Sequence, residues 1–124
     1  MNKKELFKNL NKLCRDLDNK YNINCGGCCF VAAVIAEQLE NCNIPFTVIK
    51  YDECGCHYAI KVNDRTINRS DYRSWEIVIN DYITSEELFF TYNNNNWNTT
   101  YNKRWNLIVK TQIKSLFKKY GNHI

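Results

Sequence analysis

The apolar residues near the N-terminus recur every three or four positions, which is the spacing of one face of an α-helix. This face comprises Leu6, Leu10, Leu13, Cys14 and Leu17. Lysine and aspartate residues stand between them, so the segment predicts an amphipathic helix of about four turns. A second helix is predicted from about residue 27 to residue 41. Apolar residues cover so much of its surface that we expect it to be mostly buried.

The middle of the chain predicts a small antiparallel sheet. Pro45 cannot continue a helix, and the residues after it are rich in β-branched and aromatic side chains. The predicted strands cover residues 46–51, 56–62, 65–70 and 75–79. Asn63 and Asp64 form the turn of a hairpin because both residues tolerate positive φ. In this register Val62 faces Arg65 and Ile60 faces Ile67.

The C-terminal part predicts further helices. Thr84 or Ser85 is the expected N-cap of one of them, because acidic residues follow in the first turn. A last helix is predicted over residues 103–120, with Val109 and Ile113 on its apolar face. The order of elements predicts an α+β fold in a single domain over residues 1–124. Two helices pack on the sheet, and the C-terminal helices cover the rest.

Composition narrows the class of protein. The chain has 124 residues, is 44% hydrophobic and carries a formal net charge of +4, which is too mild an excess to indicate nucleic acid. The N-terminus does not resemble a secretory signal and no apolar run could span a bilayer, so we expect a cytoplasmic protein without a membrane partner. An odd number of cysteines in a reducing compartment argues against a disulfide framework and for chemistry, metal binding or burial. The seven are Cys14, Cys25, Cys28, Cys29, Cys42, Cys54 and Cys56.

Cys28, His57 and Asn68 have the side chains that a thiol-dependent enzyme uses. Cys28 begins the second predicted helix, where the helix dipole and an adjacent imidazolium favour a thiolate. The hairpin register directs His57 and Asn68 to one face of the sheet, within reach of each other, while Ile60 and Ile67 share the opposite face. An amide oxygen beside an imidazole can fix the tautomer and the ring plane of the histidine.

The segment CGGCCFVAA is similar to the nucleophile segment Cys-Gly-Ser-Cys-Trp of papain-like enzymes, with Cys28 at the nucleophile position. The longer stretch GGCCFVAAVIAEQLENCNIPFTVI resembles the compact transglutaminase-like and arylamine N-acetyltransferase branch. In that branch a Gly-x-Cys helix precedes an extended strand, and a histidine stands at the head of a later strand. The resemblance covers roughly residues 22 to 72.

The resemblance implies a papain-like (transglutaminase-like) core and thiol-dependent acyl transfer on an amide or ester of a protein, peptide or small molecule. Cys28 would attack, His57 would transfer the proton and Asn68 would orient His57. Asn22 stands where papain-like enzymes carry an oxyanion-stabilising glutamine. The acetyltransferase pattern Gly-Gly-x-Cys-Phe selects Cys29 instead of Cys28, and Asp71 is an alternative to Asn68.

Two other interpretations stay open. The chain contains a C-x-x-C at Cys25 and Cys28 and a C-x-C-H at residues 54–57, and four of these five side chains could bind a tetrahedral zinc ion. A non-catalytic structural or interaction protein of the same fold is the other alternative, because cysteine is among the residues most often buried. We favour the thiol enzyme and expect no metal and no cofactor.

Overall fold

The computed structural model describes residues 3–24, 27–52, 56–69, 76–80, 83–94 and 103–121. Its helices are α1 (Lys3–Tyr21), α2 (Cys28–Asn41), α3 (Ser85–Asn93) and α4 (Asn106–Gly121). Its strands are β1 (Thr47–Asp52), β2 (Cys56–Val62), β3 (Arg65–Ile67) and β4 (Glu76–Asn80). The strands form one antiparallel sheet in the order β3-β2-β1-β4. The predicted α+β class is confirmed.

The hairpin has the predicted register. Val62 pairs with Arg65 and Ile60 pairs with Ile67, around a two-residue turn in which Asn63 has a φ of 54°. The third strand is shorter than the predicted range 65–70. It ends at Ile67 because Asn68 has a φ of 61°, in the left-handed region that β-strands do not use.

The two faces of the sheet have separate sets of buried residues, as the alternation of side chains along a strand requires. Tyr58, Ile60 and Val62 of β2 belong to the main core, together with α2. Ile49, Tyr51 and Ala59 form a second cluster. Since Ile49 pairs with Ala59 across the sheet, this second cluster lies on the opposite face.

Helix α2 is the centre of the main core. Ten of its fourteen residues are buried, including every position from Cys28 to Ala36. It packs against β2, α3 and α4. The helix ends where Asn43 takes a φ of 56° and the Ile44 N–H bonds to the Leu39 carbonyl, which turns the chain towards β1.

Polar contacts fix the start of α3. Thr84 is its N-cap, and the Thr84 hydroxyl accepts a hydrogen bond from the Glu87 N–H at 3.2 Å. The carboxylate of Glu40, near the end of α2, accepts from both the backbone N–H and the hydroxyl of Ser85. These bonds satisfy N–H groups that a helix start leaves unpaired, and they attach α3 to α2.

Helices α1 and α4 pack together and contribute apolar side chains to the main core. The rings of Tyr21 and Trp105 stack with centroids 4.4 Å apart, and the Asn9 amide donates to the Tyr120 hydroxyl at 2.8 Å. Among the described helices, none is both long enough and apolar enough to cross a lipid bilayer.

The central position of α2 gives a stability prediction. Leu39 is fully buried, whereas Leu107 on α4 is 76% exposed. Leu39→Ala should lower the free energy of unfolding by about 2–5 kcal/mol, because it removes buried methyl groups and leaves a cavity. The chemically identical Leu107→Ala should change it by no more than about 0.5 kcal/mol. Urea unfolding followed by circular dichroism measures both, and equal losses would contradict a core centred on α2.

Candidate active site around Cys28 and His57

Gly27 allows α2 to begin where it does. A Cβ at this position would clash with the carbonyl oxygen of Ile23, which is backbone and cannot rotate away. Glycine therefore lets the segment that follows α1 pass closely over the first turn of α2. This close approach brings Asn24 to the same end of the molecule as Cys28.

The Cys28 sulfur reaches β2 at the edge of the strand. Val62 and Arg65 flank a two-residue turn, so the N–H of Val62 points towards β3. Backbone N–H groups alternate in direction along a strand, so the N–H groups of Ile60 and Tyr58 point to the same side as that of Val62. Because β3 ends opposite Ile60, the N–H of Tyr58 extends past the end of that strand. The Cys28 thiol accepts a hydrogen bond from this N–H. His57 precedes Tyr58 in the chain, so the backbone of His57 lies beside the thiol.

The environment of the thiol has opposing effects on its acidity. Burial raises the pKa of Cys28, which is 3% exposed. The backbone N–H groups of Tyr58, Cys29 and Cys28 itself act in the other direction and lower this pKa, while the negative charge of Asp18 raises it further. The pKa of Cys28 lies above its ordinary value of 9.0 as the sum of these effects, so the thiol is protonated at neutral pH. Helix position alone had predicted a thiolate.

The imidazole of His57 is buried and oriented. Its Nε2 lies 2.5 Å from the backbone carbonyl oxygen of Asn68. A carbonyl oxygen can only accept, so Nε2 carries the proton and Nδ1 is the basic nitrogen of the neutral ring. The ring of Tyr51, which pairs with His57 across the sheet, lies beside it with centroids 5.8 Å apart. His57 thus stands on the sheet face of Tyr51, opposite to Ile60, as the register predicts.

Asn68 contacts His57 through its backbone and not through the side-chain amide that the sequence suggested. Its side chain forms a reciprocal amide pair with Asn24, with hydrogen bonds of 2.9 and 3.1 Å. Its backbone N–H donates to the side chain of Asn11 on α1 at 2.9 Å. The carbonyl of Asn68 is therefore fixed in position by contacts on both sides.

The two candidate nucleophiles point in different directions. Cys29 is fully buried, and its thiol donates to the carbonyl of Leu88 on α3 at 3.4 Å. Cys28 is the one that contacts β2 beside His57. This arrangement favours Cys28 over Cys29 as the nucleophile.

The remaining predicted site residues have other positions. Asn22 has a φ of 56°, its N–H bonds to the Asp18 carbonyl at 2.7 Å and its side chain is exposed, which is the geometry of a helix C-terminal cap. Its oxyanion role stays a prediction. Asp71 lies outside the described residues.

Few of the side chains that could bind zinc are among the described residues. Of the five predicted ligands, Cys25 and Cys54 lie outside the described residues, and the side chain of Cys56 is likewise not described. Within the described part, no three histidine, cysteine, aspartate or glutamate side chains form a group that could hold a metal ion. The prediction of no metal stays a prediction.

Asn11 and Asn24 belong to the site, and the sequence did not single them out. Asn24 lies four residues before Cys28, in a segment where one asparagine looks like another. Asn11 falls on the polar side of an amphipathic helix, where a solvated side chain is the usual case. Their roles depend on the left-handed backbone of Asn68, which no sequence pattern marks.

Comparisons with models of known families, with curated proteins and with solved structures found no significant match. The chemistry of the site is therefore argued from its own residues.

The hydrogen bond of His57 predicts its tautomer. The neutral ring should carry its proton on Nε2, because that nitrogen faces the Asn68 carbonyl. Long-range ¹H–¹⁵N correlation spectra of the imidazoles distinguish the two tautomers. The chain has two histidines, so His123→Gln leaves the signals of His57 alone. A proton on Nδ1 would contradict the described geometry.

Thiol burial predicts a loss of stability in alkali. Burial raises the pKa of Cys14 from 9.0 to about 12. Between these values the unfolded chain loses a proton that the folded chain keeps, so the free energy of unfolding falls as pH rises. The loss for this group approaches about 1.4 kcal/mol per pH unit. Below about pH 9 the stabilisation is fully present.

Urea unfolding at about pH 8 and about pH 10 measures this effect. In Cys14→Ala the decrease between the two pH values should be smaller than in the wild type by about 1 kcal/mol. Cys42→Ala should keep the wild-type decrease, because Cys14 is still present. An identical decrease in Cys14→Ala and in the wild type would mean that Cys14 ionises equally in both states.

Proposed function

We propose that this chain is a thiol-dependent acyl-transfer enzyme, with Cys28 as the nucleophile and His57 as the proton-transfer residue. The observation that carries the proposal is that the backbone N–H groups of Tyr58, Cys29 and Cys28 lower the pKa of the Cys28 thiol, which lies at the edge of the strand that carries His57. N–H groups at a helix start favour negative charge. A thiolate, and then the oxyanion of a bound acyl group, are the charges that such a site stabilises.

The Cys28 sulfur attacks the carbonyl carbon of an amide or ester while its proton passes to Nδ1 of His57, and the carbonyl π electrons move to the oxygen. The backbone N–H groups of Cys28 and Cys29 are the donors nearest to this oxyanion. Collapse of the intermediate breaks the bond to the amine or alcohol, which leaves with the proton from His57. Water or a second amine then attacks the thioester and gives a proton to His57; the C–S bond breaks, the acid or amide leaves, and His57 returns the proton to the Cys28 sulfur.

The protonated resting thiol determines which mechanism we propose. Burial raises the pKa of Cys28, so the site does not hold a preformed thiolate. His57 therefore acts as a general base during the attack. The His57 ring lies on the sheet face of Tyr51 and Cys28 belongs to the core on the opposite face, so this role requires Nδ1 to come within about 3 to 5 Å of the sulfur around the edge of the sheet, past the end of β3. The bond from Nε2 to the Asn68 carbonyl supports this role, because it leaves Nδ1 as the nitrogen that accepts the proton.

The order of the elements supports a papain-like arrangement as part of the proposal. A cysteine begins α2, a strand follows, and His57 is the second residue of the next strand. Asn68 follows the third strand and contacts the imidazole. We infer that the Asn68 carbonyl does here what a side-chain amide does in the family that the sequence resembles.

A structural role for Cys28 is the second candidate, and one observation favours it. The thiol is 3% exposed, and it supplies an acceptor for a strand N–H that has passed the end of β3. A buried N–H without an acceptor would cost about 1–3 kcal/mol, so a cysteine at this position is useful without any catalysis. The same fold would then be a non-catalytic interaction protein.

Acylation by p-nitrophenyl acetate separates the two candidates. In the enzyme, Cys28 is acylated first, with release of p-nitrophenolate, and mass spectrometry of peptides identifies the modified thiol. His57→Gln should lower the acylation rate by roughly 10²- to 10⁴-fold, since the general base is lost. Cys28→Ser should abolish thioester formation at this position. Cys42→Ser is the matched control and should behave as the wild type.

The pH dependence of Cys28 acylation in the wild type is a second test, and it does not depend on whether a variant folds. The rate of Cys28 acylation should follow deprotonation of the His57 imidazole, as recorded by NMR on the same protein. If Cys28 is acylated no faster than Cys42, or if the rate does not change as His57 loses its proton, the enzyme proposal is wrong and the structural role remains.

A further inference from the structure

A cleft of about 200 Å³ opens between α1, the segment after α1 and the end of β3. Its polar lining comprises Asn11, Arg15, Asp18, Asn24, Asn68 and Arg69. The proposed chemistry assigns no role to the two arginines. Both are exposed, and they approach the cleft from different elements.

The described residues that line the cleft have a single excess positive charge. Arg15 and Arg69 contribute two cations and Asp18 contributes one anion. The Asp18 carboxylate already accepts the N–H of Asn24 at 2.8 Å. The guanidinium of Arg69 donates to the phenolic oxygen of Tyr51, which restricts where it can lie.

Amide groups line the cleft between these charges. Asn24 and Asn68 use one N–H and the oxygen of each side chain in their reciprocal pair. An amide NH₂ group has two N–H bonds, so each of these side chains retains a further donor. Guanidinium and amide donors around a small cleft are the groups that bind a carboxylate.

The cleft adjoins the residue that orients His57. Asn68 lines the cleft with its side chain and holds His57 with its carbonyl. A substrate that extends from this cleft past Asn68 to Cys28 would have one group bound in the cleft and its acyl group at the sulfur.

We propose that this cleft binds a carboxylate of the substrate, and that the enzyme acts on acyl groups of acidic molecules. The proposal rests on the proposed function and names its substrate class. A carboxylate fits better than a phosphate, because Asp18 offsets one arginine and the remaining single charge matches a monoanion. Arg15 and Arg69 are substrate-binding residues in this proposal, and Asn24 positions Asn68.

Binding is tested first without any thiol chemistry. The full ¹⁵N-labelled chain is titrated with N-acetylglycine and with the neutral N-acetylglycinamide. N-acetylglycine should shift the side-chain NH₂ signals of Asn24 and Asn68, and the neutral amide should not. Arg15→Gln and Arg69→Gln should each weaken binding by about tenfold, the scale of one charge-assisted contact. Lys12→Gln makes the same charge change on an exposed position of α1 and should leave binding unchanged.

The same titration distinguishes two sources of the carboxylate. N-acetylglycine carries the carboxylate of a peptide C-terminus, whereas N-acetylaspartate with its α-carboxyl group amidated carries that of an acidic side chain. Tighter binding of one of them identifies the source. Equal shifts with the neutral amide, no shifts with either acid, or an equal loss in Lys12→Gln would overturn the proposal.

The substrate role is tested with two acyl donors. Mono-p-nitrophenyl succinate carries a carboxylate, and p-nitrophenyl acetate does not. The succinate ester should acylate Cys28 about tenfold faster, and this preference should disappear in Arg15→Gln but remain in Lys12→Gln. Equal rates of Cys28 acylation by both esters would overturn the substrate role while the proposed function stands. If neither ester acylates Cys28, the proposed function fails and the substrate role fails with it, whereas the titration still decides whether the cleft binds a carboxylate.

Discussion

The burial of α2 is the constraint on which the rest of the structure depends. The helix is enclosed on several sides, by β2, α3 and α4. Between α1 and α2, the backbone of Ile23 comes so close to Gly27 that only glycine fits there. A helix that is buried from its first residue brings its N-terminal N–H groups into the protein as well, where water cannot pair with them. The raised pKa of Cys28 is a consequence of this burial.

Burial and helix position act against each other at the thiol. The N–H groups at the start of α2 and on β2 stabilise a negative sulfur, and removal of water from Cys28 destabilises it. Removal of water is the larger effect, since the pKa of Cys28 is raised. Cys14 has the same burial without the helix start, and its pKa is raised to about 12. What distinguishes Cys28 is that backbone N–H groups lower its pKa and would stabilise negative charge on the sulfur.

The sequence was sufficient to predict the order of helices and strands and the register of the hairpin between β2 and β3. Period-two alternation and the Asn63–Asp64 turn determine that Ile60 faces Ile67, and the structure agrees. The same reasoning brought His57 and Asn68 together. It could not predict which group of Asn68 meets the imidazole, because an alternation rule assigns side chains to faces and assumes a regular backbone. The φ of 61° at Asn68 breaks that assumption, so the carbonyl and not the amide reaches His57.

Asn68 shows how one irregular residue connects the fold to the site. Its N–H is held by Asn11 of α1, its side chain by Asn24 and its carbonyl by His57. Each contact joins a different part of the chain, and together they use the backbone N–H, the carbonyl and the side chain of a single residue. An aspartate here would lose the amide N–H that Asn24 accepts, and a leucine would leave the side chain of Asn24 without its partner. This position therefore requires a residue that has a side-chain amide and tolerates a left-handed backbone, and asparagine has both properties. The orientation of His57 depends on the carbonyl that this backbone directs towards the imidazole.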